Sequence, residues 1–442
     1  MKQGVWSIVT AVWALTVVQG ISQTLPPYEL HPSISNTGRV VFQTLLPPRQ
    51  TDLFQFPVSF PPIPDPTFGV QAWETIGVTP VYATPPAVGE ARPSIDASGN
   101  WVVCQRGGGV VVLEPTTGSV PYGTIGILPA ISGSGRFVAF LSQSTELHDP
   151  DGNGDPSDNQ PPNPSPPGPG SWILYLRDRD ADEDGALDES AAGATWTRYL
   201  HLGSPVHPPL TSVRLSLDPV TAPDPTTDRS GWLLGLSFFN GSVWELRVYD
   251  ISQIRTKTTE GPDPVLVSIV SNYPLSPPSL AGSRFAFTAQ GALTNPPGPS
   301  IPAAWVFELS GGAAAPLIGI AVRGPIGAAV LSRDGRLLGF HTSASAFQRI
   351  GQDPQPLPFA FGGQADANAA QDVHIFDLVT TQPIWSTLLI RSNQPGGIGP
   401  YDPCTNPTLA DLISGWIAFQ QSTGQGSRVR IANLNTPRQV YR

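Results

Sequence analysis

A short phrase of polar and apolar positions recurs along the chain. It opens with a turn carrying Ser or Asp and then Gly, and continues as a run of apolar residues. It reads PSISNTGRVVF at 32–42, PSIDASGNWVV at 93–103 and PAISGSGRFVAF at 129–140. It returns as PTTDRSGWLLGL at 225–236, PPSLAGSRFAF at 277–287, AVLSRDGRLLGF at 329–340 and LADLISGWIAF at 409–419. The apolar run is short and nearly continuous, which suits a strand covered on both faces. A second run follows most copies: SWILYLRD (171–178), WELRVYDI (244–251), AWVFELS (304–310), VHIFDLVT (373–380) and RVRIANL (428–434). Several of these alternate in polarity, as half-buried strands do. The pattern predicts pairs of short strands from end to end.

The turn chemistry is consistent from copy to copy. The turn residue is Gly38, Gly99, Gly135, Gly231, Ser283, Gly335 and Gly415. Ser35, Asp96, Ser132, Asp228 and Ser332 stand three residues before it, where a side-chain oxygen can accept from the backbone ahead. Gly takes a positive φ without strain. The turn residues are 61, 36, 96, 52, 52 and 80 residues apart. A solenoid needs a fixed period. Radial blades tolerate unequal loops, because each packs only on its neighbours. Arg39, Arg136, Arg284 and Arg336 recur just after the turn and are expected to do one structural job in every blade.

Composition narrows the class. The 442 residues include 51 Pro and 45 Gly, with 40% hydrophobic and 13% charged residues. Ample apolar residues with few charges argue against disorder, and so much Pro argues against a helical protein. A net charge of −10 gives nucleic acid no electrostatic support. Residues 1–22 read as a secretory signal: Lys2, then an apolar run to Val18 that falls short of the ~20 residues of a bilayer span. No later segment is apolar for long enough to span. The mature chain, 23–442, is expected to be extracytoplasmic (secreted or periplasmic) and a single domain, with a long Pro-rich and acidic insertion at about 141–200. Outside the cytoplasm one long-range disulfide between Cys104 and Cys404 is permitted.

These phrases resemble the TolB-like β-propeller repeat, best at 129–140, 329–340 and 32–42. The resemblance covers nearly the whole mature chain. It implies an all-β propeller with one blade per repeat, hence seven, with six or eight left open. TolB itself has six blades and a preceding α/β domain. This chain has no room for that domain, so the family's role in envelope integrity does not carry over.

The sharpest chemistry lies in the insertion. Asp180, Asp182, Asp184, Gly185 and Asp188 form D-x-D-x-D-G-x-x-D. Hard cations such as calcium take about six to eight oxygens. Alternate carboxylates can converge on one if the backbone turns at Gly185, and the Ala186 carbonyl can add another oxygen. The loop is not an EF-hand, which has a Glu at its twelfth position, here Ala191. The string also resembles an insertion of secreted TolB-like proteins. A second segment at 148–159 offers Asp149, Asp151, Asn153, Asp155 and Asp158 at similar alternation, interrupted by Pro150 and Pro156. An ordinary Asx-rich loop accounts for it equally well. A bound calcium would be structural.

No zinc-protease, P-loop or nucleophile-elbow motif occurs. His341 and His374 read as packing residues. Two function classes follow. One is a non-catalytic, calcium-stabilised propeller scaffold that binds a protein or glycan. The alternative is a propeller enzyme of lyase or glycosidase type with its site at the central channel. The apolar phrases, taken as the inner strands facing the channel, are short of carboxylates and His and so favour the scaffold.

Overall fold

The computed structural model describes residues 29–45, 68–73, 90–106, 109–114, 119–144, 146–149, 172–202, 214–217, 233–256, 262–297, 300–310, 313–344, 347–350, 356–357, 370–389, 398, 402–423 and 426–435. Residues 1–22, read above as a signal, together with the Pro-rich run and the turn at Asp228 and Gly231, lie outside them. The described strands form seven antiparallel sheets in chain order. The first holds β1 (Glu29–Ile34), β2 (Val40–Leu45) and β3 (Phe68–Trp73). The second holds β4 (Glu90–Ile95), β5 (Val102–Arg106), β6 (Gly109–Glu114) and β7 (Ser119–Ile125). The third holds β8 (Ile127–Ile131), β9 (Phe137–Ser142), β10 (Ile173–Asp178) and β11 (Trp196–Tyr199). In the fourth, β12 (Arg214–Leu217), β13 (Leu233–Phe239), β14 (Trp244–Asp250) and β15 (Val267–Ser271) are extended by β18 (Leu293–Asn295).

The fifth holds β16 (Ser279–Ala281), β17 (Arg284–Ala289), β19 (Ala303–Ser310) and β20 (Ala313–Val322), extended by β23 (Phe347–Ile350) and β24 (Pro356–Leu357). The sixth holds β21 (Val330–Leu331), β22 (Leu337–Thr342), β25 (Asp372–Asp377) and β26 (Gln382–Ser386). The seventh holds β27 (Cys404–Leu409), β28 (Trp416–Thr423) and β29 (Gly426–Asn433). Among the described residues helix is confined to one six-residue turn, Ile251–Thr256, and a 3-10 turn.

The core is distributed over the junctions between sheets. Among the described residues it forms seven apolar clusters, one at each junction, and the cluster of Ile34, Val40 and Phe42 with Ala410, Ala418, Val429 and Ile431 joins the first sheet to the seventh. The sheets therefore close into a ring, an all-β propeller. The continuous apolar runs now have a physical reason. Side chains alternate across a strand, so each sheet feeds two junctions. Phe137, Ala139 and Leu141 of β9 pack towards the fourth sheet, whereas Val138 and Phe140 pack towards the second. Cys104 and Cys404 are buried thiols in two different junctions, so they are not bridged.

The strand nearest the axis precedes the turn, a point the repeat phrase alone did not reveal. β1, β4, β8 and β27 each carry a Pro (Pro32, Pro93, Pro129, Pro407) beside a break in register with the next strand. Pro cannot donate to a ladder, so it belongs at an edge strand or bulge. The innermost strand supplies both. Leu128 and Asn406, each just before its Pro, have positive φ (51° and 50°).

The turns behave as the sequence predicts. The side chains of Ser35, Asp96, Ser132 and Ser332 are buried and accept backbone N–H bonds at 2.8–3.0 Å from Arg39, Trp101, Phe137 and Leu337. The recurrent arginines do not share one job. Arg39 and Arg284 donate to the carbonyls of Gly99 and Gly335, the turn residues of the following sheets. Arg136 and Arg336 instead pair with Asp178 and Asp377 at the end of the third strand of their own sheets. Arg284 also pairs with Glu308, so it does both.

Candidate metal loop and its arginine clamp

The acidic loop joins β10 to β11 at the end of the ring that carries the recurrent turns. Its base is fixed by charge. Asp178, fully buried, accepts two bonds from Arg136 at 2.7 and 2.8 Å, and its Oδ1 also takes the N–H of Asp180 at 3.1 Å. Beyond this base the backbone curls through three residues of positive φ: Glu183 (64°), Gly185 (90°) and Asp188 (57°). A Cβ on Gly185 would meet nothing within 4 Å, so its need for Gly is conformational rather than steric.

Asp180, Asp182 and Asp184 each bring a carboxylate oxygen to within 4.8 Å of the others. Asp180 is buried while Asp182 and Asp184 are exposed. Asp180 Oδ1 accepts the Gly185 N–H at 3.3 Å, and Asp184 Oδ1 accepts the Ala186 N–H at 2.8 Å. Negative charge is concentrated here. Asp184 foremost, then burial, Asp182 and Asp180, hold the Glu189 carboxyl above its usual range. Oxygens grouped in this way fit a hard divalent cation.

Asp188 is placed elsewhere. It sits between two guanidiniums, with Arg179 at 2.7 Å and Arg177 at 3.4 Å. Arg179 is wholly buried, lies 4.4 Å over the Trp101 ring of the second sheet, and donates to the Gly135 carbonyl. Burial pushes its pKa down, and Asp188 opposes this. Arg177 lies 4.1 Å over the Tyr122 ring, also in the second sheet. The alternating R-D-R-D string signals charge, but nothing local names the two aromatics that receive the arginines. Of the second segment, Asp149 pairs backbone to backbone with Thr197 at 2.8 Å each way. Asp151, Asn153, Asp155 and Asp158 lie outside the described residues.

The histidines are packed. His374 contacts Ser386 at 3.0 Å and packs tilted against Phe340 and edge-on to Phe347. His341 accepts the Asn406 N–H at 3.3 Å, and burial lowers its pKa to about 4.

No protein-family model matches the chain, and no curated protein matches it in sequence. Solved structures with a similar course include hydrazine synthase of Kuenenia stuttgartiensis (11% identity, 92% of this chain and 97% of that one, TM-score 0.45). An oligogalacturonate lyase in complex with manganese aligns at 9% identity over 92% and 89%, TM-score 0.44. The β-propeller domain of the Trilobed protease from Pyrococcus furiosus aligns at 8% identity over 92% and 83%, TM-score 0.38. These likenesses are distant and include both enzymes and a domain described only by its propeller. The propeller assignment rests on the ring of junctions itself. No helix among the described residues is long and apolar enough to cross a membrane.

Proposed function

We propose that this chain is an extracytoplasmic, TolB-like propeller that works as a non-catalytic binding scaffold for a protein or glycan, with calcium bracing its acidic insertion. The observation that carries the reading is the convergence of Asp180, Asp182 and Asp184 beside an arginine clamp. The clamp anchors one side of the loop in a sheet junction. The three carboxylates, with the Ala186 carbonyl as a further oxygen, would gather the other side around the ion. A cation in that position ties down a long excursion and performs no chemistry.

Titration calorimetry on chelator-stripped full chain tests the ion. Calcium should bind at or below millimolar concentration, and Asp182→Ala/Asp184→Ala should abolish binding. Gly185→Val should weaken it as much as losing a ligand, because Val resists the required φ. At a hundredfold excess over Kd, binding to the folded state alone stabilises by about 2.7 kcal/mol, so melting should rise with calcium and fall with chelator. No heat at millimolar calcium, with the double variant melting like the parent, would leave the loop merely acidic. Glycan arrays probed with the calcium-loaded chain test the scaffold. Retention without change of the glycan supports it, and cleavage of an arrayed glycan overturns the non-catalytic reading.

A further inference from the structure

At six of the seven junctions the chain itself passes from one sheet to the next. The junction between the seventh and first sheets is different. All described strands of the first sheet come from the N-terminal side and all described strands of the seventh from the C-terminal side, so among the described residues no strand is shared across this seam. Among the described residues closure there rests on side-chain packing and hydrogen bonds alone. It uses the small cluster around Phe42 and a bond from the Asp411 N–H to Asn36 Oδ1 at 3.2 Å.

One side chain spans the seam from outside it. Arg333 lies in the turn between β21 and β22 of the sixth sheet. Its Nη2 donates to the Ile34 carbonyl at 3.1 Å and the Ile95 carbonyl at 2.8 Å. These carbonyls end β1 and β4, the innermost strands of the first and second sheets. The guanidinium therefore reaches from the sixth sheet to the first and second, skipping the seventh in the order of the ring. Beyond those carbonyls, backbone bonds run from Asn36 N–H to the Ala97 carbonyl (2.9 Å) and from Ala97 N–H to the Gly133 carbonyl (2.8 Å). Holding Ile34 and Ile95 thus holds three sheets. On the near side, Asp334 Oδ2 accepts the Leu412 N–H at 3.0 Å, tying the same turn to the seventh sheet.

We propose that Arg333 is the latch of the ring: a guanidinium that reaches past the seventh sheet and keeps the seam between the seventh and first sheets shut. Opening the seam must break both of its carbonyl bonds. Hydrogen bonds from a charged donor are stronger than neutral ones, and one Nη2 serves two sheets.

Hydrogen exchange on the full chain, read by mass spectrometry, tests this. In Arg333→Met the Asp411 amide, whose bond crosses the seam, should exchange tenfold or more faster. The Thr288 and Leu309 amides, bonded within the fifth sheet, should keep their rates. Gln290→Ala serves as the control, since it removes a cross-sheet tie (Gln290 Nε2 to the Ile326 carbonyl, 2.6 Å) where the chain already crosses. It should leave Asp411 unchanged. If Arg333→Met does not fold, Arg333→Lys keeps the charge without the planar fork and gives the same comparison. An unchanged Asp411 rate, or equal acceleration in all sheets, would overturn the latch.

Discussion

Two junctions of the ring are held by opposite means. The second and third sheets meet through Val103, Val110 and Val112 against Val138, Phe140 and Tyr175, reinforced by Arg179 over Trp101 and Arg177 over Tyr122, with Asp188 supplying the counter-charge. The seventh and first sheets meet through an apolar cluster in which Phe42 is the one aromatic ring among the fully enclosed members. A buried guanidinium adds reach and direction, but it commits the chain to an acid at one defined place. The apolar cluster at the seam needs no partner charge, and what direction the seam has comes from bonds beside the cluster, from Arg333 and from Asp411 to Asn36. The difference explains why the acidic insertion sits on the third sheet: part of its acidity neutralises the arginines that stitch that sheet to its neighbour.

The largest effect should come from removing the counter-charge. Asp188→Ala leaves a fully buried guanidinium unpaired, and breaking a buried pair from one side costs about 3–5 kcal/mol. Arg179→Met/Asp188→Ala should recover most of that loss. Urea unfolding of the two variants measures it. Equal losses in both would mean the clamp acts by packing alone. At the seam, Phe42→Ala should cost about 3–5 kcal/mol by cavity formation, with no second substitution of charge able to restore it. A rescue at the clamp and none at the seam is the contrast to look for.

The ring was legible in the sequence because nearly continuous apolar runs and turn chemistry repeat together. Phe137 through Leu141 had to face two neighbours, and a continuous run says so. The innermost strands escaped notice because they are short and carry Pro32, Pro93, Pro129 and Pro407, which read as loop until the bulge beside each is seen. β18 and β23 also escaped, since each pairs with the preceding sheet rather than its own repeat. In the loop, the spacing of Asp180, Asp182 and Asp184 was enough to foresee their grouping. The engagement of Asp188 was not, because it depends on where Arg179 goes, and Trp101 on another sheet decides that.

Acid should loosen the molecule on both sides of the ring. Burial first, and then the Arg198 charge, lower the His148 pKa to about 4 in the third sheet, and burial alone lowers that of His341 to about 4 beside the seventh. An unfolded His titrates near ~6.5. The folded state thus resists a proton the unfolded chain accepts. Stability is full above pH ~6.5 and falls as pH drops towards about 4, by on the order of 3 kcal/mol per histidine. Denaturation midpoints between pH 7 and 5, above the main carboxylate range, should fall in the parent and fall less in His148→Leu. Identical pH slopes would place the sensitivity elsewhere.

The smallest expected effect is also the most specific. Arg179 lies 4.4 Å over Trp101, well inside the ~6 Å reach of a cation–π contact. Enclosed by the fold, such a contact contributes about 1–2 kcal/mol. Trp101→Leu removes the ring face but keeps an apolar side chain against Gly135, so its cost mixes lost attraction with lost packing. A double-mutant cycle with Arg179→Met separates them, provided Asp188→Ala is present in all four proteins so that no unpaired carboxylate differs between corners. The coupling should be about 1 kcal/mol. It should be barely affected by salt, because the guanidinium is enclosed and screening acts weakly on buried charges. A coupling of zero would mean that Asp188 alone positions Arg179 and that Trp101 is packing. In that case the Arg179 contribution to the junction of the second and third sheets would come from its pair with Asp188 and not from the ring face.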